Sequence, residues 1–380
     1  MDAQSLSVLP LAQFMKDEYA DVKQDLYGAF AVRGIELADR RGLLAIVIGD
    51  TWMSIKSFEA LRLRLLNGHA FDSFVQMRDV SNHPDIFGAN TAFVVSMTGA
   101  RSRQAPFVRL TSLGSERKEQ ELCVALIDRT KDAGFHLASS DDFAAIPGTP
   151  IVYWLSEKTR GSFAAGKPLS EVANLRQGLA TADNGRFLRQ WWEVAATRTA
   201  FSCTSREEAA ASGARWFPYN KGGEFRKWYG NQEHVVNWEH DGAEIVAFKP
   251  RSVIRNPGTY FSPSVSWSKI SSGAPAFRSY PPGFIYDVAG TSIFVASGRE
   301  RLGLLSFANS RLAYEQLAAI APTLNFEVGQ VAGLPIVDSA EERGVAMAAR
   351  AVETAQVDWN TLETSWGFER NPLVEIAAGG

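Results

Sequence analysis

Cysteine and histidine are scarce in this chain, which has two cysteines and five histidines in 380 residues. Cys123 and Cys203 lie far apart and outside any CxxC motif, so no disulfide framework or zinc site is expected, and both thiols are predicted to be buried. His234 and His240 are separated by a spacing that fits neither a helical HxxxH motif nor a zinc finger. We therefore predict no metal site.

Long apolar runs and targeting signals are also missing. No stretch approaches the roughly eighteen uninterrupted apolar residues of a membrane span. The N-terminal residues lack the basic start and the apolar core of a secretion signal. The hydrophobic content of 46% is that of an ordinary globular protein. These observations favour a cytoplasmic protein with a large core.

The net charge of -3 does not by itself indicate nucleic-acid binding, but the charge is unevenly distributed. Residues 176–280 contain 14 Lys and Arg against 9 Asp and Glu, a net +5, which leaves -8 for the rest of the chain. The same stretch contains six of the ten tryptophans. A basic, aromatic-rich segment in an acidic chain indicates a localised nucleic-acid surface.

This composition is most concentrated in residues 215–230, RWFPYNKGGEFRKWYG, where four cationic side chains and six aromatic rings surround a Gly-Gly pair. Cations interleaved with flat rings suit a surface that contacts phosphates and stacks on bases. The alternative interpretation is a loop hairpin whose Arg and Lys stems cover the aromatic rings.

The N-terminal part of the chain has the pattern of an α/β unit. The spacing predicts helices over Val22–Leu37 and Phe58–Leu66, a strand buried on both faces over Leu43–Ile48, and paired strands over Phe71–Met77 and Thr91–Met97. This order is that of the trailing half of a doubly wound sheet. No strand followed by a Gly-rich turn precedes it, so the usual cofactor-cradling turn is missing.

The remaining residues are less regular. A helix is predicted within residues 110–134, and a strand is predicted within residues 146–156. From Asn174 to about Val337, short apolar runs between Gly, Pro, Asn and Ser predict an irregular α+β domain with one helix near Leu304–Ala319. A last helix is predicted from Ser339, whose capping box with Glu342 marks its start, to about Ala355.

Several segments taken together resemble one family. They include KQDLYGAFAVRGIEL, FGANTAFVV, NLRQGLATADNGRFLRQWWEV, RWFPYNKGGEFRKWYGNQEHVVNWE, SWSKISSG, GFIYDVAGTSIF, TLNFEVGQVAGLPIV and DWNTLETSWGFERNPL. The ordered set, which covers most of residues 20–375, is similar to the adenine-specific DNA methyltransferases of the BREX phage-defence system (PglX type). These enzymes are relatives of the type IIG restriction–modification enzymes.

The resemblance implies a fold and a division into domains. The expected fold class is α/β, the rear half of a doubly wound methyltransferase sheet, followed by an irregular α+β target-recognition domain. Residues 1–155 correspond to the C-terminal half of a Rossmann-like methyltransferase domain, 156–337 to the target-recognition domain, and 338–380 to a following helical segment. The Asn-Pro-Pro-Tyr motif that binds the flipped adenine is absent from the sequence. The chain therefore resembles an internal piece of a longer enzyme.

The resemblance also implies a function: part of a site-specific DNA adenine-N6 methyltransferase, carrying target recognition, with double-stranded DNA as partner. S-adenosylmethionine is the expected cofactor of the complete enzyme, but this chain alone is not expected to bind it or to catalyse methyl transfer. The alternative is a stand-alone, non-enzymatic specificity subunit that needs a partner for catalysis, either the missing methyltransferase half or another defence component. A third option is a fragment without function, because its sheet exposes an edge.

The residues expected to contact DNA lie in three segments. They are Arg176, Thr181, Asn184, Arg186 and Arg189 in the first, Tyr219, Asn220, Lys221, Arg226, Lys227 and Trp228 in the second, and Ser268, Lys269 and Ser271 in the third. For the first segment the alternative is a structural turn capped by Asp183 and Asn184. For the third segment it is a solvated loop. Trp191 and Trp192 are expected to pack in the core.

Overall fold

The computed structural model describes residues 9–78, 89–110, 117–271, 273–321, 325–336, 342–371 and 373–374. The chain divides into two compact units, Met1–Ala164 (unit 1) and Ala165–Gly380 (unit 2). Among the described residues, no helix has both the length and the apolar character that a membrane span requires.

Unit 1 contains six helices and five strands in its described part. They are α1 (Leu9–Glu18), α2 (Leu26–Leu37), β1 (Leu43–Gly49), α3 (Glu59–Leu66), β2 (Ala70–Arg78), β3 (Ala89–Ser96), β4 (Ala105–Leu110), α4 (Lys118–Asp128), β5 (Phe135–Ala138), α5 (Ser140–Ala144) and α6 (Glu157–Ala165).

The five strands of unit 1 form one sheet in the order β1-β3-β2-β4-β5. Strand β3 is antiparallel to both β1 and β2, so β1 and β2 run parallel to each other and α3 connects them. Strand β4 pairs with β2 in parallel, and β5 is antiparallel to β4. The mixed α/β class and the helix–strand–helix–hairpin order predicted from the sequence are confirmed.

Aromatic side chains from neighbouring strands fill the core of unit 1. Phe74 of β2 lies opposite Phe93 of β3 and Phe107 of β4, and its ring centroid is 5.8 Å and 4.9 Å from theirs. Such cross-strand pairs stabilise a sheet and fix its register. Trp52, in the turn after β1, is fully buried and donates its indole N–H to Thr91 Oγ1 at 2.9 Å.

Three predictions for unit 1 are wrong. Strand β1 is not buried on both faces, because it lies at the edge of the sheet, and Leu43 and Val47 are 62% and 65% exposed. Residues 146–156 form turns and irregular backbone instead of a strand. Their apolar pattern reflects burial, since the side chains of Ile151 and Tyr153 pack in the core. Cys123 lies on the outer side of α4 and is exposed, whereas Cys203 is buried as predicted.

Unit 2 is built from shorter elements. They are β6 (Lys167–Pro168), α7 (Leu169–Val172), β7 (Asn174–Arg176), α8 (Asn184–Phe187), β8 (Leu188–Gln190), α9 (Arg206–Ala211), β9 (Trp216–Asn220), β10 (His234–Asn237), α10 (Glu239–Ala247), β11 (Ser264–Trp267), β12 (Phe277–Tyr280), β13 (Ile285–Tyr286), β14 (Ser292–Phe294), α11 (Gly298–Ala308), α12 (Arg311–Ile320), α13 (Val328–Ala332), β15 (Pro335–Ile336) and α14 (Glu342–Trp359).

The strands of unit 2 form two four-stranded sheets, β13-β9-β10-β8 and β12-β11-β14-β7, and a two-stranded pair, β15-β6. Within the sheets every named pairing is antiparallel except that of β13 with β9. Phe217, Val236 and Ile285 belong to one apolar cluster that the first sheet buries. The irregular α+β character predicted for this part of the chain agrees with these short elements.

The single helix predicted near Leu304–Ala319 is two helices, α11 and α12, separated at Asn309 and Ser310. The side chain of Asn309 accepts a hydrogen bond from the Phe277 amide at 3.1 Å and donates one to the Phe277 carbonyl at 3.0 Å. Ser310 then caps α12 by accepting from the amide of Ala313. The predicted capping residue Ser339 lies outside the described residues, and α14 extends to Trp359, beyond the predicted end.

Candidate nucleic-acid interface

Three chain segments of unit 2 meet at the buried side chain of Asn220, the last residue of β9. Its Nδ2 donates to Ser266 Oγ at 2.7 Å and to the Gly290 carbonyl at 3.0 Å, and its Oδ1 accepts from the Gly222 amide at 3.1 Å. We call residues 219–224, 266–269 and 287–290 the loop junction. The junction brings the second and third predicted segments together.

A buried carboxylate lies beneath the loop junction. Asp287 Oδ2 accepts hydrogen bonds from the Tyr219 hydroxyl and from Lys221 Nζ, both at 2.8 Å, and Oδ1 accepts from the Ala289 amide at 2.7 Å. Burial, followed by the charge of Asp287, raises the pKa of Tyr219 well above its ordinary value, so this hydroxyl remains a donor. These three donors compensate the carboxylate, whose side chain is 4% exposed.

The Gly-Gly pair shapes the tip of the junction. Gly222 and Gly223 have φ values of +80° and +124°, a backbone region that side chains with a Cβ rarely adopt. A Cβ on Gly222 would lie 2.9 Å from the Ala289 carbonyl oxygen. The pair is therefore required by the close approach of two segments of this chain, independently of any ligand.

Arg278 of β12, which sequence reasoning missed, supports the same tip from below. Its side chain is fully buried, and its guanidinium donates to the carbonyls of Glu224 at 3.5 Å and Arg226 at 3.2 Å and to Ser268 Oγ at 2.9 Å. The signal was present in the alternation along the strand, which places Arg278 on the same face as the buried Tyr280.

The first predicted segment is partly exposed. Arg176 ends β7 on an exposed position, opposite Ser292 of β14. Arg186 is also exposed, 3.7 Å from Glu244. Arg189 donates to the Gly185 carbonyl at 2.6 Å and is partly covered.

The turn between β7 and β8 has the local bonding that was given as the alternative interpretation. Asp183 caps α8 by accepting from the Arg186 amide at 3.0 Å. Thr181 is 2% exposed, and its hydroxyl donates to Asn184 Oδ1 at 2.8 Å, whereas Asn184 is itself exposed. The structure thus leaves Arg176, Arg186 and Asn184 as the accessible members of this segment.

Most side chains of the second segment are engaged within the protein. Tyr219 and Asn220 are 0% and 1% exposed, so in this conformation neither presents a surface to a ligand. Arg226 lies 4.9 Å from the ring centroid of Trp359, and Lys227 Nζ donates to the Asn309 carbonyl at 3.2 Å.

The backbone of Trp228 is also bonded, because its amide donates to the Phe277 carbonyl at 2.8 Å, and its side chain is partly buried. Arginine stems that cover aromatic rings are the arrangement described by the alternative interpretation of this segment.

The polar side chains of the third segment also have partners within the protein. Ser268 Oγ donates to the Gly223 carbonyl at 2.8 Å, Lys269 Nζ is 2.9 Å from Glu327 Oε1, and Ser271 Oγ donates to the Ala274 carbonyl at 3.1 Å. Of the tryptophan pair expected in the core, Trp191 is half-buried and donates to the Thr364 carbonyl, whereas Trp192 is 43% exposed. The core prediction is therefore wrong for Trp192.

No group of three His, Cys, Asp or Glu side chains in the described part of the chain is placed to hold a metal ion. In unit 1, the carboxyl end of β1 is followed by the turn Asp50–Met53, where Trp52 is fully buried against Thr91. The Trp52 side chain therefore occupies this turn.

A model of the Eco57I restriction-modification methylase family matches residues 2–83. Over 372 residues the chain is 31% identical to the adenine-specific methyltransferase PglX of Lacticaseibacillus casei (strain Zhang). Over the same length it is 32% identical to the adenine-specific methyltransferase BrxX of Escherichia coli O9:H4 (strain HS). Each alignment covers 96% of this chain but only 31% of PglX and 29% of BrxX.

Solved structures give more distant matches. The Type IIL restriction-modification enzyme MmeI, solved in complex with DNA, matches 96% of this chain and 53% of its own with 11% identity and a TM-score of 0.45. The type IIG restriction endonuclease BpuSI matches 87% of this chain and 44% of its own with 10% identity and a TM-score of 0.34. At the level of sequence, the chain is similar to the PglX and BrxX adenine-specific methyltransferases along nearly its whole length and spans about a third of theirs.

Proposed function

We propose that this chain is the DNA-recognition part of a site-specific DNA adenine-N6 methyltransferase that acts in BREX-type phage defence in the cytoplasm. The observation that carries the proposal is the identity of 31% and 32% to two adenine-specific methyltransferases along 96% of the chain. In the complete enzyme, S-adenosylmethionine supplies the methyl group for an adenine that has left the base stack.

Unit 2 supports a role in recognition. Its loops lie at the ends of short paired strands, and binding residues occur preferentially on loops that a rigid scaffold positions. The hydrogen bonds of Asn220 and Asp287 make the loop junction such a scaffold. Arg176 and Arg186 are exposed cations of the first predicted segment, and phosphate contacts by such side chains position a protein on DNA.

A second candidate is a stand-alone specificity subunit that completes an active site with another polypeptide. The free edge of β1 favours it, because Leu43 and Val47 leave an apolar face of this strand exposed in unit 1. Mass spectrometry of the protein isolated from its native cells separates the candidates. A single larger polypeptide containing these residues supports the first, and a separate chain bound to a second methyltransferase polypeptide supports the second.

The proposal is tested by measuring the affinity of the chain for a short duplex at a series of salt concentrations. Each phosphate contact contributes about 0.9 to the slope of log K against log salt concentration. We expect a negative slope for the wild type and a slope smaller in magnitude by about 2 for the double variant Arg176→Ala and Arg186→Ala.

Arg343 and Arg350, two exposed arginines of α14, provide the matched control. Replacing both by Ala removes the same charge from unit 2, so the slope should remain that of the wild type. Absence of any salt dependence in the wild type would overturn the proposal. An equal change of slope in both double variants would show that net charge, and not the predicted surface, governs binding.

A further inference from the structure

One aromatic side chain of unit 2 is largely exposed in the residue that follows segment 219–224 of the loop junction. Phe225 is 58% exposed, which makes it the most exposed aromatic residue among the described residues of this unit. In the same segment Phe217 and Tyr219 are 1% and 0% exposed. An exposed phenyl ring adds little to the core and is accessible to a partner outside this chain.

The backbone that carries Phe225 is fixed on both sides. The buried guanidinium of Arg278 donates to the carbonyls of Glu224 and Arg226, the two neighbours of Phe225. Asn231 Nδ2 donates to the same Glu224 carbonyl at 2.9 Å. These hydrogen bonds order the loop in the folded protein before any ligand binds. An exposed ring on such a preorganised loop can bind without a further entropy cost for ordering the backbone.

A second exposed apolar side chain lies on the adjacent loop. Ile270, which follows β11, is 66% exposed. The hydrogen bond from Ser268 Oγ to the Gly223 carbonyl ties the loop of Ile270 to the loop of Phe225. Two fixed loops thus present two large apolar side chains at their tips.

The surroundings of Phe225 select the chemistry of its partner. The carboxylate of Glu224 is exposed beside it and disfavours close approach of a phosphate. Base surfaces carry no net charge and stack on aromatic rings, and apolar side chains such as Phe and Ile insert between base steps in DNA-bending proteins. A base step fits this tip better than the sugar–phosphate backbone does.

We propose that Phe225 is a wedge residue that inserts against the bases of bound duplex DNA, with Ile270 on the adjacent loop as a second apolar contact and Arg278 as the positioning residue. This assignment rests on the proposed function, since it requires unit 2 to bind DNA. It adds that recognition includes local unstacking of the duplex, and that the side chain responsible lies at position 225.

A duplex with one abasic site tests the wedge, because unstacking at that site has already occurred. The chain is titrated with a short mixed-sequence duplex and with the same duplex containing the abasic site. We expect the wild type to prefer the abasic duplex, Phe225→Ala to lose about tenfold in affinity for it together with the preference, and Phe225→Trp to retain both. Tyr314→Ala, which removes an exposed ring from α12, is the matched control and should behave as the wild type.

The outcomes separate the wedge from the function on which it rests. If the wild type binds DNA and Phe225→Ala binds each duplex with the affinity of the wild type, the wedge assignment is overturned and the proposed function stands. If the wild type binds neither duplex, both proposals fail. Because Phe225 is exposed, circular dichroism of Phe225→Ala should match that of the wild type, so a loss of affinity is not a loss of fold.

Discussion

Two buried arginines, one in each unit, hold turns in place by bonding backbone carbonyls. In unit 1, Arg62 Nη1 donates to the carbonyls of Trp52 at 2.6 Å and Ile55 at 2.8 Å, and Nη2 donates to Gly148 at 2.7 Å. Burial lowers the pKa of Arg62 to about 10, so it is still charged at neutral pH. In unit 2, Arg278 does the same for the loop of Phe225. Arginine's fixed fork of donors suits this use.

Replacing Arg278 by Met tests whether this arginine fixes the loop. The carbonyls of Glu224 and Arg226 would lose a buried donor, at a cost of roughly 1–3 kcal/mol per unsatisfied group. We expect amide hydrogen exchange over residues 223–229 to accelerate by about tenfold in Arg278→Met. Arg343→Met, on the exposed face of α14, should leave it unchanged, and unchanged exchange in Arg278→Met would contradict the bracing role.

His136 in unit 1 should make the stability of the protein depend on pH. Burial, together with the charges of Lys131, Arg109 and Arg160, lowers the pKa of His136 to about 4. In the unfolded chain a histidine titrates near 6.5, so between pH 6.5 and pH 4 the unfolded state binds more protons than the folded state. Stability should therefore fall as the pH is lowered through this window.

Urea unfolding of the wild type and of His136→Gln at pH 7 and at pH 5 measures this effect. The variant has no imidazole to protonate, so its loss of stability between the two pH values should be smaller than that of the wild type. Parallel losses in the two proteins would show that His136 is not held neutral by its surroundings.

At the scale of elements, strand β1 is an edge strand with exposed apolar side chains. It pairs with β3 on one side and lies at the edge of the sheet on the other, with Leu43 and Val47 exposed. A flat apolar edge promotes pairing with another chain, and lysine on such an edge prevents it. We therefore expect the isolated chain to self-associate through β1.

Sedimentation velocity of the double variant Leu43→Lys and Val47→Lys tests this expectation. The variant should remain monomeric at concentrations at which the wild type associates, with a free energy of unfolding within about 0.5 kcal/mol of the wild type. Leu126→Lys with Ile127→Lys replaces two exposed apolar residues of α4 and should associate as the wild type does. Equal association of all three proteins would show that the chain does not self-associate through β1.

The sequence predicted those elements whose apolar spacing is strong. The predicted strands Phe71–Met77 and Thr91–Met97 lie within a few residues of β2 and β3, because alternation along a half-buried strand is a direct consequence of its geometry. The apolar run in residues 146–156 led to a wrong strand prediction, because its side chains contact the core although its backbone does not pair with a strand. The periodicity of apolar residues shows which side chains are buried. It does not show whether the backbone pairs with another strand.

The candidate site could be predicted only in part. The sequence singled out two segments that the structure brings together, since residues 219–224 and 266–269 meet at the loop junction. It could not distinguish side chains that face outward from those that hold the junction together. Tyr219 and Asn220 have the polar atoms expected of a base contact, but their partners are Asp287, Ser266 and Gly290. That choice depends on tertiary contacts.

At the scale of the whole molecule, the chain corresponds to only part of the proteins that it resembles. It is 31% and 32% identical to PglX and BrxX along 96% of its own length, and it accounts for 31% of PglX and 29% of BrxX. The Asn-Pro-Pro-Tyr motif that binds a flipped adenine is not among its residues. The proposed role of this chain is therefore tested through its binding to DNA.

The central claim is that the loops of unit 2 bind duplex DNA, and hydrogen–deuterium exchange with and without a duplex measures it most directly. The account predicts slower exchange on DNA addition in residues 174–189, 220–230 and 266–271, with the largest change around Phe225. Unchanged exchange in these three segments while the chain is bound to DNA would contradict the account.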